Sequence, residues 1–338
     1  MKPDKILFFK LGAIGDAVMT TPLIRQTKKN YPQAKLDYLI GEYSASVLED
    51  NKYLNKVLRF DERTFLKMWI FSWLWLIRTM RKGNYDMVFV LDRHWIFNFT
   101  AFISGIPLRI GFDREGKEGR FLTRKVFYGP PRHDIFCYLD LLKAVDGEVD
   151  YEDLKEDLFL SGKDKVFALR YWKEHNLNGK RVAAVAPGGA VNPGQSLSAK
   201  IWPTDRYIEV MKSLKQKKYM IILIGAATDK GFEKQIMQEV EVLSLVGNTS
   251  IKESGAIMQM ADLVICNDSG PMHIAEAVNK KVISLFGPTD PRKLAPLWKE
   301  SKYLWKLKEP TYDIYGRHHG SGNEINKITV QDVLKCIK

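Results

Sequence analysis

Cysteine is scarce in this sequence and never occurs in a motif. The 338 residues contain three cysteines, Cys137, Cys266 and Cys336, with no CxxC pair and no cluster of cysteine with histidine. This spacing argues against a disulfide framework and against a zinc site, and it is typical of a protein in a reducing compartment. We therefore expect a cytoplasmic protein.

Long apolar runs are also absent. No stretch approaches the roughly 20 apolar residues of a membrane span, and the apolar run at residues 6–9 is too short for an export signal. The nearest candidate is MWIFSWLWLI, residues 68–77, between Lys67 and Arg78. An aromatic stretch of this kind is typical of a core helix, but its basic flanks also fit a helix on the inner face of the inner membrane. Both interpretations stay open.

Several catalytic and cofactor motifs are missing. The sequence contains neither GxGxxG nor GxxxxGK[ST], which disfavours a nicotinamide dinucleotide site and a P-loop. It also lacks HExxH, a GxSxG nucleophile elbow and the Asp-x-Asp pair that can hold a divalent ion on a nucleotide diphosphate. The one adjacent histidine pair, His318-His319, fits a polar loop better than a ligand set. We therefore expect neither a metal nor a cofactor.

What is present is a regular alternation of short apolar runs and helix-length segments. A chain of 338 residues is long for one core, and continuous apolar runs are typical of strands covered on both faces. The alternation predicts parallel sheets with right-handed crossovers. The predicted strands are residues 6–9, 36–40, 56–60, 87–91 and 108–112 in the first half, and 182–187, 221–225, 243–247, 263–267 and 282–287 in the second.

These strands predict two doubly wound α/β domains, residues 1–160 and 161–338. The charged stretch YEDLKEDLFLSGKDK, residues 151–165, is the predicted bridge between them. A last periodic stretch, residues 326–338, predicts a closing helix, and the pattern leaves open which of the two domains it packs on.

Positive charge is in excess and unevenly placed. The formal net charge is +12, and residues 63–133 contain 13 Lys and Arg against 5 Asp and Glu, a local excess of +8. Such an excess favours anionic partners, among them nucleic acid, a phosphorylated glycolipid or an acidic membrane surface. No DNA- or RNA-binding motif is present, which disfavours a non-enzymatic nucleic-acid binder.

One candidate catalytic residue follows the first predicted strand. In open parallel sheets, ligands bind at the carboxyl ends of the strands, and KLGAIGDAVMTTPLI, residues 10–24, places Asp16 there on a glycine turn. A carboxylate among apolar residues is costly unless it has a role. Asp16 is therefore either the cap of a helix or a general base.

Two candidate anion sites follow strands of the second half. CNDSGPMHIAEAV, residues 266–278, predicts a helix capped by Ser269 or Asp268, whose free N–H groups would bind a diphosphate beside His273. PGGAVNPG, residues 187–194, is a glycine-rich loop that allows close approach to phosphate, with Lys200 supplying a positive charge. A simple helix cap and a solvated lysine are the alternatives.

Three blocks make the chain resemble the ADP-heptose:lipopolysaccharide heptosyltransferase family, glycosyltransferase family 9. They are ILFFKLGAIGDAVMTTPLI at the start, PGGA…AKIWP at the opening of the second half, and ADLVICNDSGPMHIAEAVNKKVISLFGPTDP at residues 261–291. The resemblance spans most of the chain and is weakest at residues 40–85 and after residue 300.

The resemblance implies both a fold and an activity. The fold is GT-B, in which two Rossmann-like domains face each other across a cleft, the first binding the acceptor and the second the nucleotide-sugar donor. The implied activity is an inverting, metal-independent transfer of heptose from ADP-heptose to a lipopolysaccharide inner-core acceptor, a phosphorylated glycolipid.

The resemblance also implies roles for individual residues. Asp16 stands where the family has its general base, and Asp229 where an acidic residue, more usually glutamate, binds the ribose. The implied donor-binding residues are Gly15, Lys200, Asp229, Thr249, Asp268, Ser269, Gly270, Pro271 and His273. The implied acceptor-binding residues are Arg63, Arg120 and His133.

One departure from the family pattern is VNPGQSLS, residues 191–198, which looks like an insertion before Lys200 and can change how the donor loop closes. Two rival enzymes on the same architecture stay open, a transferase for another nucleotide sugar and a nucleotide-sugar epimerase. The KxWP and NDSGPMH blocks favour the heptosyltransferase.

Overall fold

The chain forms two compact units, Met1–Phe159 and Leu160–Lys338. The computed structural model describes residues 3–67, 69–114, 116–129, 131–189, 191–192, 195–196, 198–279, 281–313 and 317–337. Residues 193, 194 and 197 of the predicted insertion, and residue 68 of the aromatic stretch, lie outside these ranges. Within the described residues, no helix is both long and apolar enough to cross a bilayer.

The first unit contains one parallel sheet with helices between its strands. Its strands are β1 (Lys5–Lys10), β2 (Lys35–Gly41), β3 (Lys56–Phe60), β4 (Met87–Val90), β5 (Leu108–Asp113) and β6 (Arg124–Phe127). Its helices are α1 (Ile14–Met19), α2 (Thr21–Asn30), α3 (Glu42–Ala45), α4 (Glu62–Leu66), α5 (Ile70–Gly83), α6 (Trp95–Ile103) and α7 (Asp134–Lys143). The strand order is β3-β2-β1-β4-β5-β6.

The second unit repeats this plan. Its sheet strands are β7 (Arg181–Ala186), β10 (Tyr219–Leu223), β11 (Leu243–Ser244), β12 (Leu263–Asn267), β13 (Val282–Leu285) and β14 (Lys302–Leu304), and a separate antiparallel hairpin is formed by β8 (Val191–Asn192) and β9 (Gln195–Ser196). Its helices are α8 (Gly162–Glu174), α9 (Thr204–Gln216), α10 (Lys230–Glu239), α11 (Ile251–Met260), α12 (Gly270–Val278), α13 (Pro291–Leu294) and α14 (Val330–Cys336). The strand order is β11-β10-β7-β12-β13-β14.

The predicted fold class, two doubly wound α/β arrays with parallel sheets, is confirmed. All ten predicted strands are present, because apolar runs such as Ile6 to Phe9 are fully buried on both faces of a sheet. Four strands were not predicted. Two of them, β6 and β14, lie at the edge of a sheet, where most of their residues are exposed. The other two, β8 and β9, form the short hairpin. A predicted closing helix is also present as α14, and its Val333 packs into the core of the second unit.

The aromatic stretch at residues 68–77 is not a core helix along its length. It forms the start of α5, and of that helix only Leu76, Ile77 and Met80 are buried. The expectation of a core helix is therefore wrong for the first turns of α5, whose large apolar side chains are exposed.

The segment at the end of the first unit is held by side chains of α2. Arg25 pairs with Asp153 at 2.9 Å and with Asp157. Gln26 donates to the carbonyl of Asp150 and accepts from its N–H, and Asn30 does the same for Glu148. This segment contains no helix or strand, so α2 supplies the hydrogen bonds that a neighbouring strand would otherwise provide.

Candidate functional site

Each sheet reverses its strand order at one place, and two of the predicted site residues, Asp16 and Asp268, follow strands there. The reversal falls between β1 and β4 in the first unit and between β7 and β12 in the second. At such a switch point the loops diverge from the carboxyl ends of two neighbouring strands and leave a crevice for a ligand. Asp16 follows β1, and Asp268 follows β12.

In the first unit a lysine lies between two carboxylates. The Nζ of Lys10, the last residue of β1, is 3.5 Å from Oδ2 of Asp16 and 3.6 Å from Oδ1 of Asp92, which follows β4. The second oxygen of Asp92 accepts the N–H of Leu11. The Lys10 ammonium also lies 5.6 Å from the centre of the Tyr138 ring. Lys10 thus joins the loops that follow the two central strands.

The members of this cluster differ in their access to solvent. The Lys10 side chain is 3% exposed, whereas that of Asp16 is 40% exposed. Burial opposes the charged form of Lys10, but Asp92 and Asp16 outweigh burial, so the pKa of Lys10 is raised. Burial also raises the pKa of Asp92, against the opposing effect of Lys10. Asp16 is therefore the carboxylate of this cluster that a substrate can reach.

Asp16 is not the cap of its helix. α1 begins at Ile14, and its cap residue is Ala13, which forms no side-chain cap hydrogen bond. Asp16 stands third in α1, after Gly15, where the positive end of the helix dipole favours a negative charge. The alternative of a helix cap is therefore wrong, while the role of Asp16 as a general base stays a prediction.

A second ionic group lies beside this cluster, on the residue after Asp92. Arg93 pairs with Asp134 at 2.6 Å and stacks on the Tyr128 ring at 3.8 Å, and the Tyr128 hydroxyl donates to Asp134. Burial disfavours the charged form of Arg93, but Asp134 and Tyr128 outweigh it and raise its pKa well above the ordinary value. This group fixes the β4 loop against the first turn of α7.

In the second unit the predicted Lys200 and Asp268 form a direct pair. Lys200 Nζ lies 2.8 Å from Oδ2 of Asp268, and the Thr289 hydroxyl donates to the same oxygen at 2.5 Å. Asp268 is 2% exposed and Lys200 13%. Burial would raise the pKa of Asp268, but Lys200 and Thr289 outweigh burial and lower it. Asp268 is thus an ionised anchor that holds the ammonium in place.

The turn that carries Lys200 is fixed by its neighbour in the sequence. Trp202 is fully buried, and its indole N–H donates to the carbonyl of Ile328 at 3.0 Å. Asn267 accepts from the Trp202 N–H and donates to the carbonyl of Pro187. The KxWP block therefore inserts its tryptophan into the core and leaves its lysine at the carboxyl ends of the strands, beside Asp268.

Asp229 is buried beneath the glycine-rich loop. Its carboxylate accepts the N–H of Ala226 at 2.9 Å and that of Gly189 at 3.4 Å. A Cβ on Gly188 would lie 2.2 Å from this carboxylate, so the loop needs glycine there. Asp229 joins the loops after β7 and β10, and its predicted contact with a ribose stays a prediction.

The start of α12 is packed closely against the same loop. Gly189 has φ +87°, and a Cβ there would lie 2.8 Å from the Ser269 hydroxyl and 3.2 Å from Pro271. Ser269 occupies the cap position but forms no side-chain cap hydrogen bond, so the predicted capping by its hydroxyl is wrong. The Ser269 side chain therefore does not cap the Gly270 N–H, whereas Pro271 has no N–H and the Met272 N–H donates to the Ser269 carbonyl at 2.9 Å. His273 is buried within this turn.

The remaining donor and acceptor predictions are dispersed. Thr249 lies between β11 and α11 and hydrogen bonds to Ser254 at 2.8 Å. Arg63 in α4 and Arg120 before β6 are exposed, and no ion pair of the described residues links either to Asp16. His133 is buried as the cap of α7, where its Nδ1 accepts the N–H of Ile135. The roles of these three residues in acceptor binding stay predictions.

Sequence reasoning missed Lys10, Asp92, Arg93 and Thr289. Asp92 and Arg93 follow a predicted strand directly, and Thr289 follows another after a Gly-Pro turn, so the rule that ligands bind at carboxyl ends would have selected all three. Lys10 also follows its predicted strand, residues 6–9, but the sequence does not indicate which carboxylates it contacts. Only the pairing of β1 with β4 brings it to Asp92.

Two comparisons with known proteins indicate the same family. A family model described as glycosyltransferase family 9 (heptosyltransferase) matches residues 73–316. Lipopolysaccharide heptosyltransferase 3 of Escherichia coli strain K12 is 29% identical over 286 residues, which cover 82% of this chain and 80% of the relative.

Solved structures share the fold. The structure of E. coli ADP-heptose lps heptosyltransferase II has a TM-score of 0.76 at 23% identity and covers 98% of this chain and 97% of its own. The glycosyl transferase family 9 protein from Veillonella parvula has a TM-score of 0.82 at 20% identity. The match covers 98% of this chain and 96% of the Veillonella chain. At these identities the likeness concerns the fold.

Proposed function

This chain belongs to glycosyltransferase family 9, the heptosyltransferases, and we propose that it transfers heptose from ADP-heptose to an inner-core acceptor of lipopolysaccharide. The proposal of lipopolysaccharide is supported by the relative that is 29% identical, a lipopolysaccharide heptosyltransferase. The proposal of ADP-heptose is supported by the name of the similar heptosyltransferase II and by a second unit with features suited to a diphosphate.

The observation that carries the proposal is that the carboxylate of Asp16 is accessible to solvent and lies 3.5 Å from the ammonium of the buried Lys10. In the proposed step, the acceptor hydroxyl oxygen forms a bond to the anomeric carbon of heptose, and Asp16 takes the hydroxyl proton. The bond from that carbon to the phosphate oxygen breaks, and ADP leaves with the electron pair. A single displacement at this carbon inverts its configuration, and a positioned base contributes typically 10²–10⁴-fold to such a step.

On the donor side, the departing diphosphate gains negative charge. Two features of the second unit are suited to stabilise that charge. Lys200 has three N–H donors, of which Asp268 uses one, so the ammonium can still donate to phosphate. The start of α12 offers the Gly270 N–H, which the Ser269 side chain does not cap, and the positive end of a helix dipole. Fixed donors of this kind stabilise charge that develops in the transition state.

We also propose that the reaction needs no divalent metal. Lys10 lies within 3.6 Å of both Asp16 and Asp92, and Lys200 lies 2.8 Å from Asp268. A cation bound at either set of carboxylates would face an ammonium at close range, which opposes its binding. The lysines instead supply the positive charge.

The test is a transfer assay with ADP-heptose and a heptose-free lipopolysaccharide acceptor, with and without excess EDTA. We expect ADP release that requires the acceptor, that EDTA leaves unchanged, and that gives a linkage of opposite anomeric configuration to the donor by NMR. Free heptose without acceptor would contradict transfer, and a retained configuration would contradict inversion. A loss of activity in EDTA that Mg²⁺ restores would contradict metal independence.

A nucleotide panel tests the donor separately. A ligand at 100 times its dissociation constant stabilises a protein by about 2.7 kcal/mol, so thermal shifts can rank ADP against UDP and GDP. We expect ADP to give the largest shift. A larger shift with UDP would favour the transferase for another nucleotide sugar.

A further inference from the structure

The first turns of α5 expose an unusual number of large apolar side chains. We call this set, with two side chains of α6, the aromatic face. Phe71 is 76% exposed and Trp69 60%, and the others are about half exposed. The aromatic face consists of Trp69, Ile70, Phe71, Leu74, Trp75, Trp95 and Phe102. Scattered apolar residues on a surface are normal, but a contiguous set marks a contact with a protein or a membrane.

Ring contacts make the aromatic face continuous between α5 and α6. Trp73 stacks on Phe99 at 5.7 Å, and its indole N–H donates to Thr100 at 2.9 Å. Phe99 in turn contacts Trp95 at 6.1 Å and Phe121 at 5.0 Å. These half-buried rings form a rigid base, so the exposed rings are held outward by packing.

The outward side of α5 changes character along its length. Phe71 and Trp75 are followed on the same side by Arg78 and Lys82, at intervals of four, three and four residues. At a rise of 1.5 Å per residue, the apolar and basic ends of this stripe lie about 16 Å apart. Among the described residues no carboxylate pairs with Arg78, Arg81 or Lys82. Arg81 donates to the carbonyl of Ile103 at 2.7 Å, whereas the exposed Arg78 and Lys82 are available to an anionic partner.

We propose that the aromatic face docks on an anionic lipid bilayer, with the first turns of α5 in the interfacial region and its basic last turns at the phosphates. Tryptophan and phenylalanine suit this region because the rings bury apolar area at the headgroup level. The basic last turn matches anionic lipids in charge, and residues 63–133 carry a local excess of +8. The aromatic face belongs to the first unit alone, and this proposal does not depend on the proposed function.

The test is flotation of the purified full chain with vesicles of phosphatidylcholine alone or mixed with phosphatidylglycerol. We expect binding to the mixed vesicles that weakens as salt is raised, because anionic surfaces are screened. Arg78→Gln with Lys82→Gln should lower the partition coefficient about 25-fold, since each basic residue near such a surface contributes about fivefold. Phe71→Ser with Trp75→Ser should lower it roughly 10- to 100-fold.

Matched controls come from α8, which exposes Val166 and Leu169 beside Lys165 and Lys173. Val166→Ser with Leu169→Ser, and Lys165→Gln with Lys173→Gln, should leave vesicle binding unchanged. Equal losses from the α8 and α5 variants would overturn the proposal in favour of general charge attraction. Absence of vesicle binding, or self-association by ultracentrifugation that Phe71→Ser abolishes, would also overturn it, the latter in favour of a second copy of the chain.

All these positions are exposed, so thermal unfolding midpoints close to wild type are expected and separate loss of docking from loss of folding. ADP release from a detergent-dispersed acceptor should be unchanged in the α5 variants. That second measurement keeps the two proposals apart, because vesicle binding without any transfer activity supports the docking surface and contradicts only the proposed function.

Discussion

Each of the two units has a lysine–aspartate pair at the carboxyl ends of its parallel strands. The two pairs differ in which member is buried. In the first unit the lysine, Lys10, is buried and the aspartate, Asp16, is open to solvent. In the second unit the aspartate, Asp268, is buried and Lys200 is the more exposed partner. Each buried charge is held by further groups, Asp92 in one case and Thr289 in the other.

This inversion explains how one architecture can present charges of opposite sign. A buried ion is costly unless it is paired, so the buried member fixes the position of the accessible one. The first unit thereby presents an anion, which suits removal of a proton, and the second presents a cation, which suits a phosphate. Variants that remove one member at a time separate the two roles.

The largest expected effect is that of Asp16→Asn, which removes the accessible anion. Asparagine keeps the shape but cannot take a proton at neutral pH, so turnover should fall about 10²- to 10⁴-fold. ADP affinity by calorimetry should stay close to wild type, because the proposed diphosphate contacts belong to the second unit. Asp61→Asn is the matched control. Asp61 caps α4, and asparagine caps a helix as well as aspartate does, so this exchange should leave turnover unchanged. Near-normal turnover would remove Asp16 from the mechanism.

Lys10→Met removes the buried partner of the same cluster. Loss of one member of a buried pair typically costs about 3–5 kcal/mol, here because Asp92 is left without its cation. The free energy of unfolding in urea should fall by that amount. Adding Asp92→Asn should recover part of the loss, and an equally unstable double variant would show that Lys10 acts through packing alone.

Lys200→Ala removes the accessible cation of the second unit. A charge-assisted hydrogen bond contributes about 1.5–3 kcal/mol, so ADP affinity should fall roughly 10- to 150-fold in calorimetry. Lys212→Ala is the control, because the ion pair of Lys212 with Glu239 is exposed on both sides and contributes little. Unchanged ADP affinity in Lys200→Ala would show that this lysine only neutralises Asp268.

The smallest effect is a pH dependence of opposite sign in the two units. The pKa of Lys10 is raised, so its stabilisation is present below pH 10.5, the ordinary lysine value, and is lost as the pH rises through the folded pKa. The pKa of Asp268 is lowered, so its stabilisation is present above pH 3.8 and is lost as the pH falls further. In urea unfolding, the difference in the free energy of unfolding between wild type and Lys10→Met should shrink in alkali. The same difference between wild type and Asp268→Asn should shrink in acid.

The sequence predicts the strands where burial leaves a pattern and fails where it does not. Central strands are mostly apolar because both faces are covered, whereas β6 and β14 are short edge strands that keep lysine or arginine. The edge strand β3 also keeps Lys56 and Arg59, but its Val57, Leu58 and Phe60 still form a recognisable apolar run. The prediction of a core helix at α5 failed for a different reason. Its apolar composition suggested burial, but composition alone does not distinguish a buried helix from one whose apolar side chains face outward.

For the candidate site, the sequence identifies positions but not partners. Asp16, Lys200 and Asp268 follow from the rule of strand ends and from the family blocks, and the structure pairs the last two directly. That Lys10 lies between Asp16 and Asp92 depends on the pairing of β1 with β4, and no local pattern encodes that pairing. Burial likewise decides which member of each pair is accessible.

The attachment of residues 148–157 to α2 sets where the chain can be cut. A protease needs several extended residues free of hydrogen bonds, and here Gln26 and Asn30 engage the backbone while Arg25 holds Asp153 and Asp157. Digestion should therefore spare this irregular segment despite its lack of helix or strand.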